Sequence, residues 1–341
     1  MPGPDLPSEE DFDPETDDFF HVSKTKERRY KHFDLAIPTA SRERQYNFDV
    51  EVERHRFLPL LGFSEIKRQV YRDASGKLRT KIKSRPIRYA SHQDAAYMQA
   101  YSECLGQQYE AALAKDDTGD CVLAYRKGGL TNIHHAKSLF DEVRRRKDCR
   151  VLALDVSGFC DTLCHQHLKF ELSRLLRTNA LLGHHWTVFR AMTRYSWVET
   201  EDLDAILGKK RRQPGRICSP ADFNRHVRGR KSGLVRTHDL NYGIPQGTPL
   251  SGLYANIYMR SFDQRMCDLA LSFGGSYRRY SDDIALVLPI EADDWESQCL
   301  VEKILADYFL CLSVEKTEAT EFRASMVESG DPCQYLGFTF D

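Results

Sequence analysis

The stretch Ser276-Tyr277-Arg278-Arg279-Tyr280-Ser281-Asp282-Asp283-Ile284-Ala285-Leu286-Val287-Leu288 decides how the chain is read. Its flanks are strand-forming, Ser276–Tyr280 on the approach and the apolar run Ile284 to Leu288 on the exit. A β-hairpin with two acids at its tip is therefore expected. A second apolar run, Val151-Leu152-Ala153-Leu154, ends on Asp155 and has the length and β-branched content of a strand buried on both faces. Two strands thus offer carboxylates to one place, and adjacent acids on a rigid tip can hold divalent metal.

Phosphoryl transfer is the chemistry that suits such an arrangement. Two divalent ions roughly 3.5–4 Å apart activate a hydroxyl and stabilise the leaving oxygen of an in-line displacement. At an effective dielectric near 20 such ions repel one another by about 16 kcal/mol, so clustered carboxylates and substrate phosphates must offset the repulsion. Asp155, Asp282 and Asp283 supply the protein's share. Their hard oxygens select two Mg²⁺ (or Mn²⁺) ions over softer metals. Aspartates also favour turns for their own sake. That reading leaves unexplained why these acids lie between strands, downstream of both an Asp-ended strand and the loop Gly243-Ile244-Pro245-Gln246-Gly247.

Of the 341 residues, 41% are hydrophobic, enough for a substantial core. The formal net charge of -1 is unevenly spread, since Met1–Phe20 carries eight acids and no Lys or Arg. Residues 1–22 read as an acidic disordered tail, and 23–56 as a charged N-terminal extension. No signal peptide and no run long enough to cross a bilayer is read, so a cytoplasmic protein with no membrane partner is expected. In that compartment most of the ten cysteines are expected to be reduced. Cys160, Cys164, His165 and His167 crowd together but lack the paired spacing of a zinc site.

Lys67–Arg72, a turn at Ala74-Ser75-Gly76 and Lys77–Ile87 read as a hairpin bearing Lys77, Arg79, Lys81, Lys83, Arg85 and Arg88, built to meet phosphate. Helical periodicity marks Tyr97 to Tyr109, Ile133 to Val143, Leu168 to Leu176, Leu253 to Phe262 and Val301 to Leu312. Tyr125-Arg126-Lys127-Gly128-Gly129 is either a loop that approaches phosphate or an ordinary turn between helices. Lys209–Arg236 sets ten cations against one acid, Asp222, in 28 residues, which is the footprint of nucleic-acid contact. Lys209, Lys210, Arg211, Arg212, Arg225, Arg228, Arg230 and Lys231 are its candidates. The order strand, helix, helix, hairpin, helix, strand from Val151 onward suits an α+β domain with helices on one face of an antiparallel sheet.

Taken in order, Asp155-Val156-Ser157-Gly158-Phe159, Gly243 to Gly247, Tyr280 to Asp283, Lys316 and Tyr335-Leu336-Gly337-Phe338 resemble motifs A to E of the reverse transcriptases. Arg85-Pro86-Ile87 and Ala124-Tyr125-Arg126 resemble their fingers motifs, and the likeness runs from about Phe57 to the C-terminus. The resemblance implies an RNA-directed DNA polymerase with RNA and DNA as template and primer. It implies a right-hand fold with fingers at 57–150 and palm at 151–341. The palm would be an RRM-like antiparallel sheet backed by helices, with a basic insertion at 205–240.

Residue by residue, the resemblance gives Asp155 and Asp282 both metals, with the Val156 carbonyl assisting and Asp283 supporting. Lys83, Arg85 and Arg126 would face the triphosphate, while Phe159, Cys160, Gln246 and Gly247 would line the nucleotide pocket. Lys316 would give a proton to pyrophosphate, and Tyr335, Leu336, Gly337 and Phe338 would grip the primer. Cys160 departs from the usual aromatic residue against the sugar 2′ position. This implies weaker exclusion of ribonucleotides unless Phe159 or another side chain fills the gap. No helical thumb is read after Phe338: either this is a natural minimal polymerase, or its clamp comes from a second subunit, a homo-oligomer or bound RNA, or the sequence is a fragment.

Phe57-Leu58-Pro59, Arg85 to His92 and Tyr109-Glu110 most resemble the abortive-infection and other defence-associated bacterial reverse transcriptases. Some of these polymerise with a dedicated non-coding RNA or with no template. Group II intron and retron enzymes share the core motifs. An RNA-dependent RNA polymerase and a non-catalytic polymerase-fold scaffold are the remaining readings. Pro245-Gln246-Gly247 with Tyr280 argues against the first, and retention of all three acids against the second.

Overall fold

The computed structural model describes residues 30–37, 48–72, 77–126, 128, 130–208, 215–229, 233–330 and 332–340. The chain begins with α1 (Phe48–Arg54), a long hairpin of β1 (Leu60–Arg72) and β2 (Leu78–Tyr89), then α2 (His92–Lys115) and α3 (Asn132–Arg146). Next come β3 (Cys149–Asp155), α4 (Phe159–Thr162), α5 (His165–Leu175), α6 (Gly183–Thr193), β4 (Ser196–Glu199) and α7 (Thr200–Leu207). A short α8 (Pro220–Asp222) precedes β5 (Arg236–Thr237), α9 (Ser251–Tyr258), α10 (Arg260–Ser272), β6 (Ser276–Tyr280) and β7 (Asp283–Leu288). The last elements are α11 (Asp294–Asp307), β8 (Glu318–Arg323), β9 (Met326–Ser329), β10 (Cys333–Tyr335) and β11 (Phe338–Phe340).

The central sheet runs β6-β7-β3-β8-β9 and every recorded pairing in it is antiparallel. Leu152 and Leu154 of β3, with Ile284, Leu286 and Leu288 of β7, face a large core shared with α2, α5, α9, α10 and α11. Val151, Ala285, Val287 and Phe322 face the opposite way and meet α3 and the β10–β11 hairpin. Helices therefore do not lie on one face alone, as the element order suggested. Strands apolar at successive positions have two faces to bury, and α3 with the terminal hairpin covers the second.

A four-stranded sheet, β2-β1-β4-β5, stands beside it. Two of its strands, β4 and β5, lie within the 151–341 segment read as palm, yet β4 pairs in parallel with β1 through Leu60↔Trp197 to Gly62↔Glu199. A small core of Phe33, Leu61, Val198, Leu203, Ile217, Cys218 and Val227 anchors the described part of the basic segment to this sheet. The N-terminal extension contributes as well. Asp34 accepts from the amides of His92 (3.0 Å) and Gln93 (2.9 Å), satisfying two free donors at the start of α2. Tyr30 stacks on His92 and donates to the Ala90 carbonyl at 2.8 Å.

Candidate active site

The β6–β7 hairpin closes on a two-residue turn, because Tyr280 pairs with Asp283. Ser281 takes φ 61°, the mirror-image turn geometry that suits strand twist but strains a residue with a side chain. Three contacts hold it. Arg279 donates from Nη1 to the Ser281 carbonyl at 3.0 Å, Tyr125 Oη lies 3.3 Å from Ser281 Oγ, and the Val156 amide donates to the Asp282 carbonyl at 3.1 Å. The last contact splices the end of β3 onto the turn.

Register then does the rest. Asp155 stands directly opposite Asp283, so their side chains share one face of the sheet, the face covered by α3 and β10–β11. A cavity of about 500 Å³ opens there, lined by Asp155, Asp282, Asp283, Lys316, Lys83, Arg85 and the Tyr335-Leu336-Gly337 turn, among others. Lys316 Nζ donates to Asp155 Oδ1 at 2.5 Å. Burial, followed by the charges of Asp282 and Asp155, pushes the Asp283 carboxyl up to about 6, with Lys316 and Arg85 opposing. Five acids line the cavity, Asp155, Asp282, Asp283, Glu315 and Glu318, against three cations, Lys83, Arg85 and Lys316, an excess of negative charge.

That imbalance is the test of fit for divalent metal. Asp155, Asp282 and Asp283 line the cavity, and of its three cations Lys316 already sits on Asp155. Among the described residues no three His, Cys, Asp or Glu side chains converge into a finished cage. Magnesium does not require one, since it is commonly bound by one or two carboxylates together with substrate phosphates. Asp155, Asp282 and Asp283 fit such an ion.

Other residues singled out in the sequence lie elsewhere. Cys160 adjoins the turn, its thiol pushed up to about 12 by burial and then by the charges of Asp282 and Asp161. Phe159 is buried in the core. Gln246 bridges β2 and α4: the Arg88 amide donates to the Gln246 carbonyl at 2.7 Å, and Gln246 Nε2 reaches Asp161 Oδ1 at 3.4 Å. Gly247 has φ +107°, and a Cβ there would lie 2.9 Å from Ile87 Cγ2 and 3.1 Å from the Arg88 carbonyl. Phe338 lies beyond the turn, in β11.

Arg126 is spent on structure. Its guanidinium forks onto Glu110 (2.6 Å from Nη2 to Oε2) and also donates to the carbonyls of Gly119 and Val122. The loop Tyr125 to Gly129 is thus held at Arg126 by packing of the chain against itself, while Lys127 and Gly129 lie outside the described residues. His165 and His167 donate to the carbonyls of Gly243 (2.7 Å) and Tyr258 (3.1 Å). In the basic segment Arg225 and Arg228 are exposed, whereas Lys209, Lys210, Arg211, Arg212, Arg230 and Lys231 lie outside the described residues.

Sequence reasoning missed the support beneath the turn. Arg279 is fully buried and forked onto Asp263, with Nε to Oδ1 and Nη2 to Oδ2 both 2.7 Å. Asn256 Oδ1 accepts from Arg279 Nη1 at 3.2 Å, and Tyr277 donates to Asp263 at 2.6 Å. Tyr335 was singled out, but not its state: its hydroxyl is buried beside the cavity with no hydrogen-bond partner among the described residues.

An antiparallel sheet that brings three acids to one mouth, flanked by a basic hairpin, defines a polymerase-like α+β fold. The solved structure of apo telomerase from Candida tropicalis, truncated from its C-terminal domain, shares it with TM-score 0.51 and 12% identity, over 80% of this chain and 52% of that one. This chain therefore spans about half the length of that structure. C. tropicalis telomerase in complex with the TWJ fragment of telomeric RNA matches at 16% identity and TM-score 0.46, covering 81% and 43% of the two chains. The apo enzyme matches at 14% and 0.45, covering 80% and 46%. No curated protein matches the chain. Residues 83–340 match the family model of the reverse transcriptases (RNA-dependent DNA polymerases), and the chain belongs to that family of nucleotidyltransferases.

Proposed function

We propose that the chain is an RNA-directed DNA polymerase that joins a deoxynucleotide to a 3′ hydroxyl at the Asp155–Asp282–Asp283 mouth. The observation that carries this reading is the register Asp155↔Asp283 above a cavity that also holds Lys316 and Arg85. In this reading Asp155, Asp282 and the Val156 carbonyl hold two Mg²⁺ or Mn²⁺, with Asp283 in support. Bound there, the ions supply activation of the hydroxyl and charge relief for the leaving pyrophosphate.

The chain's own groups do the remainder. Lys83 and Arg85, brought to the cavity by β2, bind the triphosphate. Lys316, hydrogen-bonded to Asp155, would give its proton to the departing pyrophosphate. Gln246 and Gly247 hold the nucleotide pocket against β2, and Phe159 and Cys160 floor it. The turn between β10 and β11 positions the primer, with Leu336 and Gly337 at its tip and Tyr335 buried beneath it. Arg225 and Arg228, with the neighbouring cations of the basic segment, meet the nucleic-acid backbone.

Primer extension with Mg²⁺ on RNA and DNA templates tests this, comparing wild type with the Asp282→Asn, Asp283→Asn double variant. Extension that survives the double substitution overturns it. The likeness of Phe57-Leu58-Pro59, Arg85 to His92 and Tyr109-Glu110 to the defence-associated enzymes supports a role in bacterial antiphage defence, with a dedicated RNA or without a template. Sequencing the nucleic acid that copurifies with it, and measuring phage plating with and without Asp282→Ala in a bacterial host, checks both points. Random sequence content and equal plating would refute them.

A further inference from the structure

Away from the cavity two half-buried thiols face each other, Cys267 Sγ lying 2.7 Å from Cys121 Sγ across 146 residues of sequence. Each sits on a fixed frame. Cys121 belongs to the loop after α2, where its carbonyl accepts from the Arg279 amide at 2.8 Å and the Leu123 amide returns a bond to the Arg279 carbonyl at 2.9 Å. Cys267 is on α10, the helix whose Asp263 holds the Arg279 side chain. One residue, Arg279, thus ties together the backbone that carries one sulfur and the helix that carries the other. A disulfide bond is about 2.05 Å long, so the pair needs a closure of only roughly 0.65 Å.

We propose that Cys121 and Cys267 form a reversible disulfide, a redox modification site separate from the nucleotidyl-transfer cavity, with low-molecular-weight disulfides of the glutathione type as oxidant. Either sulfur can make the first attack, here Cys121. The S–H donated by Cys267 holds its thiol below the ordinary value, with Arg278 assisting, while burial and the charges of Asp263 and Asp120 oppose. The Cys121 thiolate attacks one sulfur of oxidised glutathione, the glutathione S–S bond breaks, and one glutathione thiolate leaves. Cys267 gives its proton to solvent and attacks the Cys121 sulfur, expelling the second glutathione thiolate. Two protein thiols are oxidised by two electrons, and one glutathione disulfide is reduced to two thiols.

The staple links the loop that carries Tyr125, and through it Ser281, to α10 beneath the hairpin. It closes a long loop of chain, which restricts the unfolded state. The inference rests on the placement of two thiols, not on the polymerase reading, and an enzyme inert in primer extension leaves it intact.

The test takes the reduced, folded full chain through a series of glutathione redox buffers, followed by non-reducing digestion and mass spectrometry. A Cys121–Cys267 linked peptide is expected, with a rise in Tm of roughly 5 °C. Cys121→Ser and Cys267→Ser should each abolish both effects. Three outcomes overturn the proposal: no linked peptide in the folded chain, a linkage that forms only in urea, or a glutathione adduct on Cys121 that Cys267 never resolves. Should either serine variant fail to fold, alkylation of reduced wild type supplies the second measurement. At least one of Cys121 and Cys267 should be alkylated in the folded reduced chain, and full protection of both overturns the proposal, because no oxidant could then reach the pair.

Discussion

Two clusters of acid and base lie within a few residues of each other on the same hairpin, and they are built on opposite principles. Beneath the turn, Arg279 and Asp263 are both fully buried and saturate one another, with Tyr277, Asn256 and the Ser281 carbonyl taking up the remaining bonds. At the turn, Asp282 and Asp283 share a cavity with Asp155 and too little positive charge, and one carboxyl is driven up to about 6. A saturated network resists change, so it positions; one with an excess of negative charge favours a cation.

Separating the two roles is the largest test. Asp282→Asn should cost primer extension about 10³-fold or more, several kcal/mol of transition-state stabilisation, while Tm stays level or rises because a repelling charge is gone. A variant that loses activity and stability together would erase the distinction. Arg279→Met should do the converse. It strands Asp263 as a buried unpaired charge and should cost about 3–5 kcal/mol in denaturant unfolding; because Arg279 also holds the Ser281 carbonyl, extension by the folded fraction should fall too, but far less than with Asp282→Asn. Adding Asp263→Leu should return part of that stability, since a buried pair replaced whole costs far less than a pair broken.

Legibility in the sequence divides along the same line. The acid cluster was readable because Asp155 ends one apolar strand and Asp282 and Asp283 lead into another, a local pattern. Arg279 and Asp263 were not, because they lie 16 residues apart on a strand and a helix, and charged residues are expected at the surface. β8 was also missed. Glu318-Ala319-Thr320-Glu321-Phe322-Arg323 has too few apolar residues to announce a strand, yet it pairs with β3 from Cys149↔Phe322 to Ala153↔Glu318 and buries Thr320 and Phe322. A central strand needs a neighbour on each side, and that need is tertiary. Arg126 had the look of a phosphate ligand, but its partner Glu110 lies 16 residues upstream in α2, out of reach of local reasoning. Asp34 capping α2 from 58 residues away is invisible for the same reason.

Gly247 probes the joint between the basic hairpin and the acid cluster. Gly247→Ala puts a Cβ at positive φ, 2.9 Å from Ile87 and 3.1 Å from the Arg88 carbonyl, and should cost about 1–3 kcal/mol. The strained strand is the one that brings Lys83 and Arg85 to the cavity. The KM for deoxynucleotide should therefore rise, about tenfold for each 1.4 kcal/mol that reaches the bound state. A KM unchanged beside a lowered Tm would uncouple that joint from nucleotide binding.

The smallest expected effect is the pH signature of the unsaturated cluster. Asp283 has a folded-state value of about 6 against an ordinary 3.8, so between these pH values the folded chain keeps a proton that the unfolded chain has released. Stability contributed by this group therefore falls as pH rises from about 4 to about 6, and the penalty is complete above that window. Measured as wild type minus Asp283→Asn, Tm should decline by roughly 2 °C across it. Mg²⁺ favours the ionised carboxylate and should reverse the trend, raising wild-type Tm more at pH 7.5 than at pH 5. The saturated pair offers the control, because Arg279→Met should lower Tm without steepening the decline between pH 4 and 6. If Asp283→Asn leaves the pH profile unaltered with and without Mg²⁺, the crowding of charge at the turn is not felt by the fold, and the contrast between the two clusters is one of burial alone.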